Sequence, residues 1–104
     1  MARGILLVES QPSSPDAAAE YHEWYDRTHL AEILAIEGFV SARRLESLDG
    51  TSFLALYEID TDIETAKANL QAALKSGTMS KPVGVQLDPP PSVRYFREIS
   101  SLTR

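Results

Sequence analysis

From Gly4 to Glu9 the chain is apolar at four consecutive positions, Ile5, Leu6, Leu7 and Val8. Such a run suits a strand covered on both faces rather than one with a wet side. The polar loop Ser10 to Pro15 ends in a helix start. Ser14 can cap, and Pro15 takes the first helical position, where its missing N–H costs nothing. Asp16 adds a negative charge that the helix dipole favours there. From Asp16 to about Ile36 the spacing is helical, with Ala17, Tyr21, Trp24, Thr28, Ala31 and Ala35 on one stripe. Leu30, Ile33 and Leu34 fall on a different side, so a bend or a second helical segment is expected near His29. Gly38 is the expected stop.

Phe39 to Leu48 and Thr51 to Ile59 read as strands on either side of Asp49-Gly50. That pair favours a two-residue type I′ hairpin turn, because both central positions want positive φ. The second of these strands is again apolar on both faces. Thr61-Asp62-Ile63-Glu64 has the form of a capping box. The helix behind it carries Ile63, Ala66, Leu70, Ala73 and Leu74 on one side and closes at Gly77. Pro82 and the triple Pro89-Pro90-Pro91 exclude regular structure from Thr78 to Pro91. That segment reads as an extended connector able to cover a pocket mouth or reach a partner subunit. Val93 to Ile99 is the last strand, with Val93, Tyr95 and Ile99 on one face and Phe96 on the other.

The order β-α-β-β-α-β predicts an α+β, ferredoxin-like subunit, a four-stranded antiparallel sheet with two helices on one face, as a single domain over residues 1–104. Two helices cover one face only, yet two strands are apolar on both. A second sheet must cover the other side, and a homodimer paired sheet to sheet is the simplest way to supply it.

Composition narrows the chemistry. The formal charge is -5, with no basic cluster beyond Arg43-Arg44, so nucleic acid is not an expected partner. The absence of Cys excludes disulfides, thiolate catalysis and Cys-ligated metal centres. The run Ile5 to Val8 is too short for a secretory h-region or a membrane span, so no membrane partner and a cytoplasmic location are expected. Tyr21 to His29 holds the only Trp, two Tyr and both His of the chain, which marks it as the candidate site. His22 and His29 lie seven residues apart, about 10.5 Å along a helix, too far to share one metal ion. Neither a metal nor a cofactor is expected.

Trp24-Tyr25-Asp26-x-x-His29-Leu30-x-Glu32, followed by Gly38-Phe39-Val40-Ser41-Ala42-Arg43-Arg44, resembles the small dimeric α/β-barrel proteins. The likeness is to the EthD-like group in particular, with its WY-D-x-x-H-L-P-E signature. Phe53 to Glu58 resembles that group's third strand, and the resemblance runs from about Gly4 to Ile99. It implies two ferredoxin-like subunits paired through their sheets, each with a pocket between sheet and helices. Relatives include cofactor-free aromatic cyclases, muconolactone-type isomerases, quinone-forming monooxygenases and haem-degrading enzymes, beside members without assigned activity. The chain departs from the signature at Ala31, where the usual Pro starts a new helical segment after the His.

Tyr25 and His29 are one helical turn apart and should lie side by side. On the functional reading His29 is a general acid/base and Tyr25 a hydrogen-bond donor to a carbonyl or enolate. On the structural reading His29 caps a carbonyl at the bend and Tyr25 packs into the core. Trp24 and Tyr21 are expected as apolar pocket wall, with Tyr57 lining the interior. Arg43 and Arg44 alternate across a strand, and the inward one, assigned to Arg44, is expected to pair with Glu58 or to hold an anionic substrate. The leading reading is a cofactor-independent enzyme moving a proton on a small aromatic or polyketide-like carbonyl compound. A non-catalytic ligand-binding or accessory protein, and a haem-handling member of the fold, stay open beside it.

Overall fold

A computed structural model describes residues 3–104. Four antiparallel strands, β1 (Gly4–Ser10), β2 (Phe39–Glu46), β3 (Phe53–Ile59) and β4 (Ser92–Arg97), form one sheet in the order β2-β3-β1-β4. Between β1 and β2 run a single 3-10 turn (Pro15–Ala17), α1 (Ala18–Trp24), a π-helical turn (Tyr25–His29) and α2 (Leu30–Leu34). Helix α3 (Ile63–Ser76) joins β3 to β4 through a long connector. This is the ferredoxin-like arrangement.

Strand parity sorts the two faces. One row across the sheet is Ala42, Tyr57, Leu6 and Tyr95, and the next is Arg44, Ala55, Val8 and Val93. Leu6, Ala55, Tyr57 and Ile59 from this face join Tyr21, Trp24, Tyr25, Ile33, Ala66 and Leu70 from the helices in one core. Burying each large apolar side chain there contributes roughly 1.5–3 kcal/mol. On the opposite face Ile5, Leu7, Leu54 and Leu56 are only half-buried, and Leu45 and Phe96 are exposed. No helix covers them.

The helix after β1 starts as expected, with Ser14 Oγ accepting from the Ala17 N–H at 3.2 Å and Pro15 behind the cap. Near His29, where a bend or a second segment is expected, α2 begins at Leu30 directly after a π turn. The π turn, Tyr25–His29, joins α1 to α2 within one right-handed run. A π turn holds more residues than an α turn and so rotates every side chain that follows it. Burial therefore passes from Tyr21, Trp24 and Tyr25 to Ile33, and Ala31 and Ala35 are exposed rather than on the buried stripe.

Three other local expectations are corrected. The β2–β3 hairpin forms, but not through a two-residue type I′ turn. Only Gly50 takes positive φ (73°), the Gly50 N–H bonds Ser47 O at 2.8 Å, and Asp49 spends its carboxylate on Ser47 and Thr51. A single left-handed residue suffices for this longer loop, and Leu48 lies outside the strand, fully exposed. Helix α3 is capped by Asp62, which accepts from the Thr65 N–H at 3.2 Å, in place of the Thr61–Glu64 box. Its close at Gly77 is as expected. Strand β4 ends at Arg97, so Ile99 is off the sheet and exposed.

The connector is anchored as a strap. Val85 bridges to Pro12, the Ser13 N–H bonds Gly84 O at 2.8 Å and the Gln86 N–H bonds Gln11 O at 2.9 Å. Gly84 has φ 69°, and a Cβ there would sit 3.0 Å from Ala17 O. The strap thus crosses the start of the first helix at a distance only glycine permits.

Candidate functional site

Where the strap, the first helix, α3 and the sheet meet, they line a half-open cavity of about 220 Å³. Leu6, Val8, Tyr57 and Val93 form its floor, and Trp24, Tyr25, His29 and Ile33 form one wall. Leu70 and Leu74 of α3 and Met79, Pro82, Val85, Leu87 and Pro91 of the strap complete the lining. None of these side chains is a carboxylate, lysine or arginine. The side chains among them that carry a polar atom are His29, Trp24 and the two tyrosines.

His29 is held on three sides. Its ring stacks on Trp24 with centroids 4.4 Å apart, and the edge of Tyr25 meets it at 5.4 Å. Nδ1 lies 3.3 Å from Glu32 Oε1. Burial pushes the imidazole below its ordinary value of 6.5, and the Glu32 carboxylate offsets this in part. At neutral pH the ring is therefore uncharged, donates through Nδ1 and keeps Nε2 as a free lone pair. Glu32 in turn would be raised by burial, but hydrogen bonds from Ser80 and His29 hold it below the usual carboxylate value.

The tyrosines divide. Tyr25 OH lies 3.3 Å from Ser10 Oγ, which is itself 2.7 Å from Tyr21 OH, so these hydroxyls satisfy one another at the end of β1. Burial raises the Tyr25 phenol, and the Ser10 bond opposes that. Tyr57 is 1% exposed, and its buried hydroxyl has no hydrogen-bond partner among the described residues. Burial pushes the Tyr57 phenol well up, so it is a neutral donor at any physiological pH. A buried hydroxyl without a partner is rare and costly.

Tyr21 and Arg44 do not reach this cavity. Tyr21 is fully buried beneath the strap at Gly84. The Arg44 guanidinium stacks 4.6 Å from the Tyr25 ring centroid, donates to Asp26 Oδ1 at 3.1 Å, and lies 3.1 Å from His22 Nδ1. The expected pairing with Glu58 is absent, because Arg44 is opposite Ala55 while Glu58 sits beside Ser41 on the other face of the sheet. His22 and Asp26 are thereby both committed to Arg44. Among the described residues no group of three or more metal-ligating side chains comes together.

Glu32, Ser80 and Ser10 were not legible as site residues. Glu32 stood three residues after His29 in the motif, a spacing that puts two side chains on one helix face. Ser80 carries no such signal. A larger hollow of about 530 Å³, bounded by Arg3, Ile5, Val40, Glu58 and Phe96, opens on the uncovered side of the sheet and contains no His, Tyr or Ser.

Comparison with solved structures agrees with this architecture. A monooxygenase from the gene ActVA-Orf6 of Streptomyces coelicolor, in complex with Nanaomycin D, superposes with a TM-score of 0.56 at 18% identity, over 97% of this chain and 92% of that one. Rv0793 from Mycobacterium tuberculosis superposes with a TM-score of 0.57 at 16% identity, over 98% and 97%. The shared fold is the ferredoxin-like one. No family model matches the chain, and no curated protein sequence matches it. At these identities the likeness concerns the fold, so the chemistry has to be argued from the cavity. Among the described residues no helix is long and apolar enough to cross a membrane.

Proposed function

We propose that the protein is a cofactor-independent enzyme that moves a proton on a small, ring-bearing carbonyl compound, with His29 as the base. One observation carries this reading. His29 lines an otherwise apolar cavity and uses Nδ1 on Glu32, which leaves Nε2 free, and Tyr57, whose hydroxyl has no partner among the described residues, is part of the same lining. Nε2 takes a proton from a carbon next to the carbonyl, and the negative charge that develops on the carbonyl oxygen is met by a phenol. Tyr57 is the donor without a competing partner, with Tyr25 beside it and shared with Ser10. Return of the proton to a different carbon gives isomerisation, and attack of the enolate within the molecule gives cyclisation. Dioxygen, as co-reactant, would give oxygenation, the class of the Streptomyces neighbour. An apolar cavity of about 150 Å³ holds benzene, so about 220 Å³ suits one or two fused rings.

The same proposal places the chain in the EthD-like group, on the Trp24 to Glu32 motif, and in the cytoplasm. It also makes the working unit a homodimer that covers Ile5, Leu7, Leu54, Leu56 and Phe96. Sedimentation velocity of the wild type and of Leu56→Glu checks the dimer, with the variant expected to run as a monomer.

The chemistry is tested by deuterium exchange of bicyclic ketones such as 2-tetralone in D2O, followed by NMR. Exchange should be enzyme-dependent and fall on the order of 10²–10⁴-fold in His29→Gln. Equal exchange in the variant removes His29 as the base. Ligands that bind without exchanging favour the second reading, a ligand-binding or accessory protein. The Glu32 bond to His29 supports that reading, since it is a structural tie of the kind such a protein would show.

A further inference from the structure

We propose that Glu32 is the positioning residue of this site and ties the seating of the strap to the state of His29. The proposal rests on the reading of His29 as the base. Its evidence is a closed ring of contacts made by four side chains from two distant segments. The Trp24 indole N–H donates to Ser80 Oγ at 2.9 Å, and Ser80 Oγ donates to Glu32 Oε1 at 3.0 Å. The Ser80 backbone N–H donates to Glu32 Oε2 at 2.7 Å. Glu32 Oε1 also accepts from His29 Nδ1 at 3.3 Å, and His29 stacks back on Trp24. Ser80 lies 48 residues from Glu32 in sequence and is part of the strap that covers the cavity.

Two consequences follow from the chemistry of a shared acceptor. By accepting Nδ1–H, Glu32 selects the tautomer that leaves Nε2 unprotonated, as carboxylate partners of histidine generally do. The second concerns competition. Oε1 serves both the Ser80 hydroxyl and His29, and the His29 bond is the longer of the two. A seated Ser80 therefore draws charge from the imidazole, whereas an imidazolium would draw Oε1 away from Ser80. By linkage the two effects are one coupling free energy, so each weakens the other by the same factor. The seated strap favours neutral His29, ready to accept a proton. A His29 that has taken its proton weakens the strap's hold on Glu32, which favours opening after the chemical step.

Nothing else around His29 competes for this role. Trp24 and the edge of Tyr25 pack against it, Tyr57 shares its cavity, and both phenols are neutral. Arg27 of the π turn and Lys81, next to Ser80, are exposed, and neither pairs with Glu32.

The test follows the His29 ring and the Ser80 backbone amide by NMR over a pH titration of the free protein, in wild type, Glu32→Gln and Ser80→Ala. In wild type the Ser80 amide should shift with the same midpoint as His29. Glu32→Gln keeps an acceptor but loses the charge, so the His29 midpoint should fall further and the Ser80 response should disappear. Ser80→Ala frees Oε1, so the midpoint should rise. Simple loosening of the site would hydrate His29 and move its midpoint up towards 6.5 in both variants. A midpoint that rises or stays put in Glu32→Gln, or a Ser80 amide that ignores His29 in wild type, overturns the proposal. No substrate is involved, so that failure leaves the base reading standing. Undiminished exchange by His29→Gln would remove the base reading even with the coupling intact.

Discussion

His29 lies flat against Trp24, with ring planes 17° apart and centroids separated by 4.4 Å. Trp24 is the only tryptophan of the chain, so the indole is a built-in reporter of the imidazole. Protonating His29 places a cation over the indole face, an interaction that quenches and shifts its emission. Tryptophan fluorescence followed against pH should show one step with a midpoint below 6.5, and the step should vanish in His29→Gln. An unchanged curve in the variant would mean that the ring senses some other group.

Stability should depend on pH through the same residue. The folded imidazole titrates below its ordinary value of 6.5 because burial disfavours the cation, so the unfolded chain binds the proton more readily. The contribution is complete above pH 6.5 and is lost as pH falls from there to the folded midpoint. Glu32, held below its ordinary 4.5, adds a separate loss at lower pH. Urea midpoints at pH 7.5 and 5.5 should differ in wild type, and the difference should shrink in His29→Gln.

Arg44 clamps three groups of the fold together. Its side chain is 14% exposed and reaches Asp26, His22 and the Tyr25 face at once. Lysine has neither the planar fork nor the stacking surface, so Arg44→Lys should cost about 1–2 kcal/mol in urea unfolding. Asp26 is 60% exposed, so solvent screens its share and Asp26→Asn should cost less than about 0.5 kcal/mol. Equal losses would assign the stabilisation to the ion pair instead.

Tyr57 should separate stability from function. Leaving a buried hydroxyl without a partner costs about 1–3 kcal/mol, which Tyr57→Phe relieves. The variant should therefore unfold at the same or a higher urea concentration than wild type while losing ketone exchange. A clear drop in stability would show that the hydroxyl is bonded in solution and holds the core together.

Much of the frame could be read from the residues, because it depends on local chemistry. The Ser14–Pro15 start, the Gly77 close and the alternating strands rest on neighbours in sequence, and they stand as read. The turn at Asp49-Gly50 and the cap of α3 went differently. At each position several local bonding patterns are open to the same residues, and the surroundings chose among them. Ala31 and Ala35 misled for another reason. Helical spacing assumes 3.6 residues per turn, and the π turn at Tyr25–His29 breaks that assumption just where the aromatic residues sit.

The sequence by itself determined the order of elements and the ferredoxin-like fold, and it named the stretch from Tyr21 to His29 as the candidate site. Periodicity, caps and breakers act over a few residues, so they can be read without a fold. Only the tertiary structure decided which of those side chains share a cavity. It put Tyr57 and His29 in the lining of one cavity, took Arg44 away to Asp26 and His22, and brought Ser80 across the fold to Glu32. Those contacts join residues far apart in the chain, and their bonds form only after the core has packed and the strap has crossed over it.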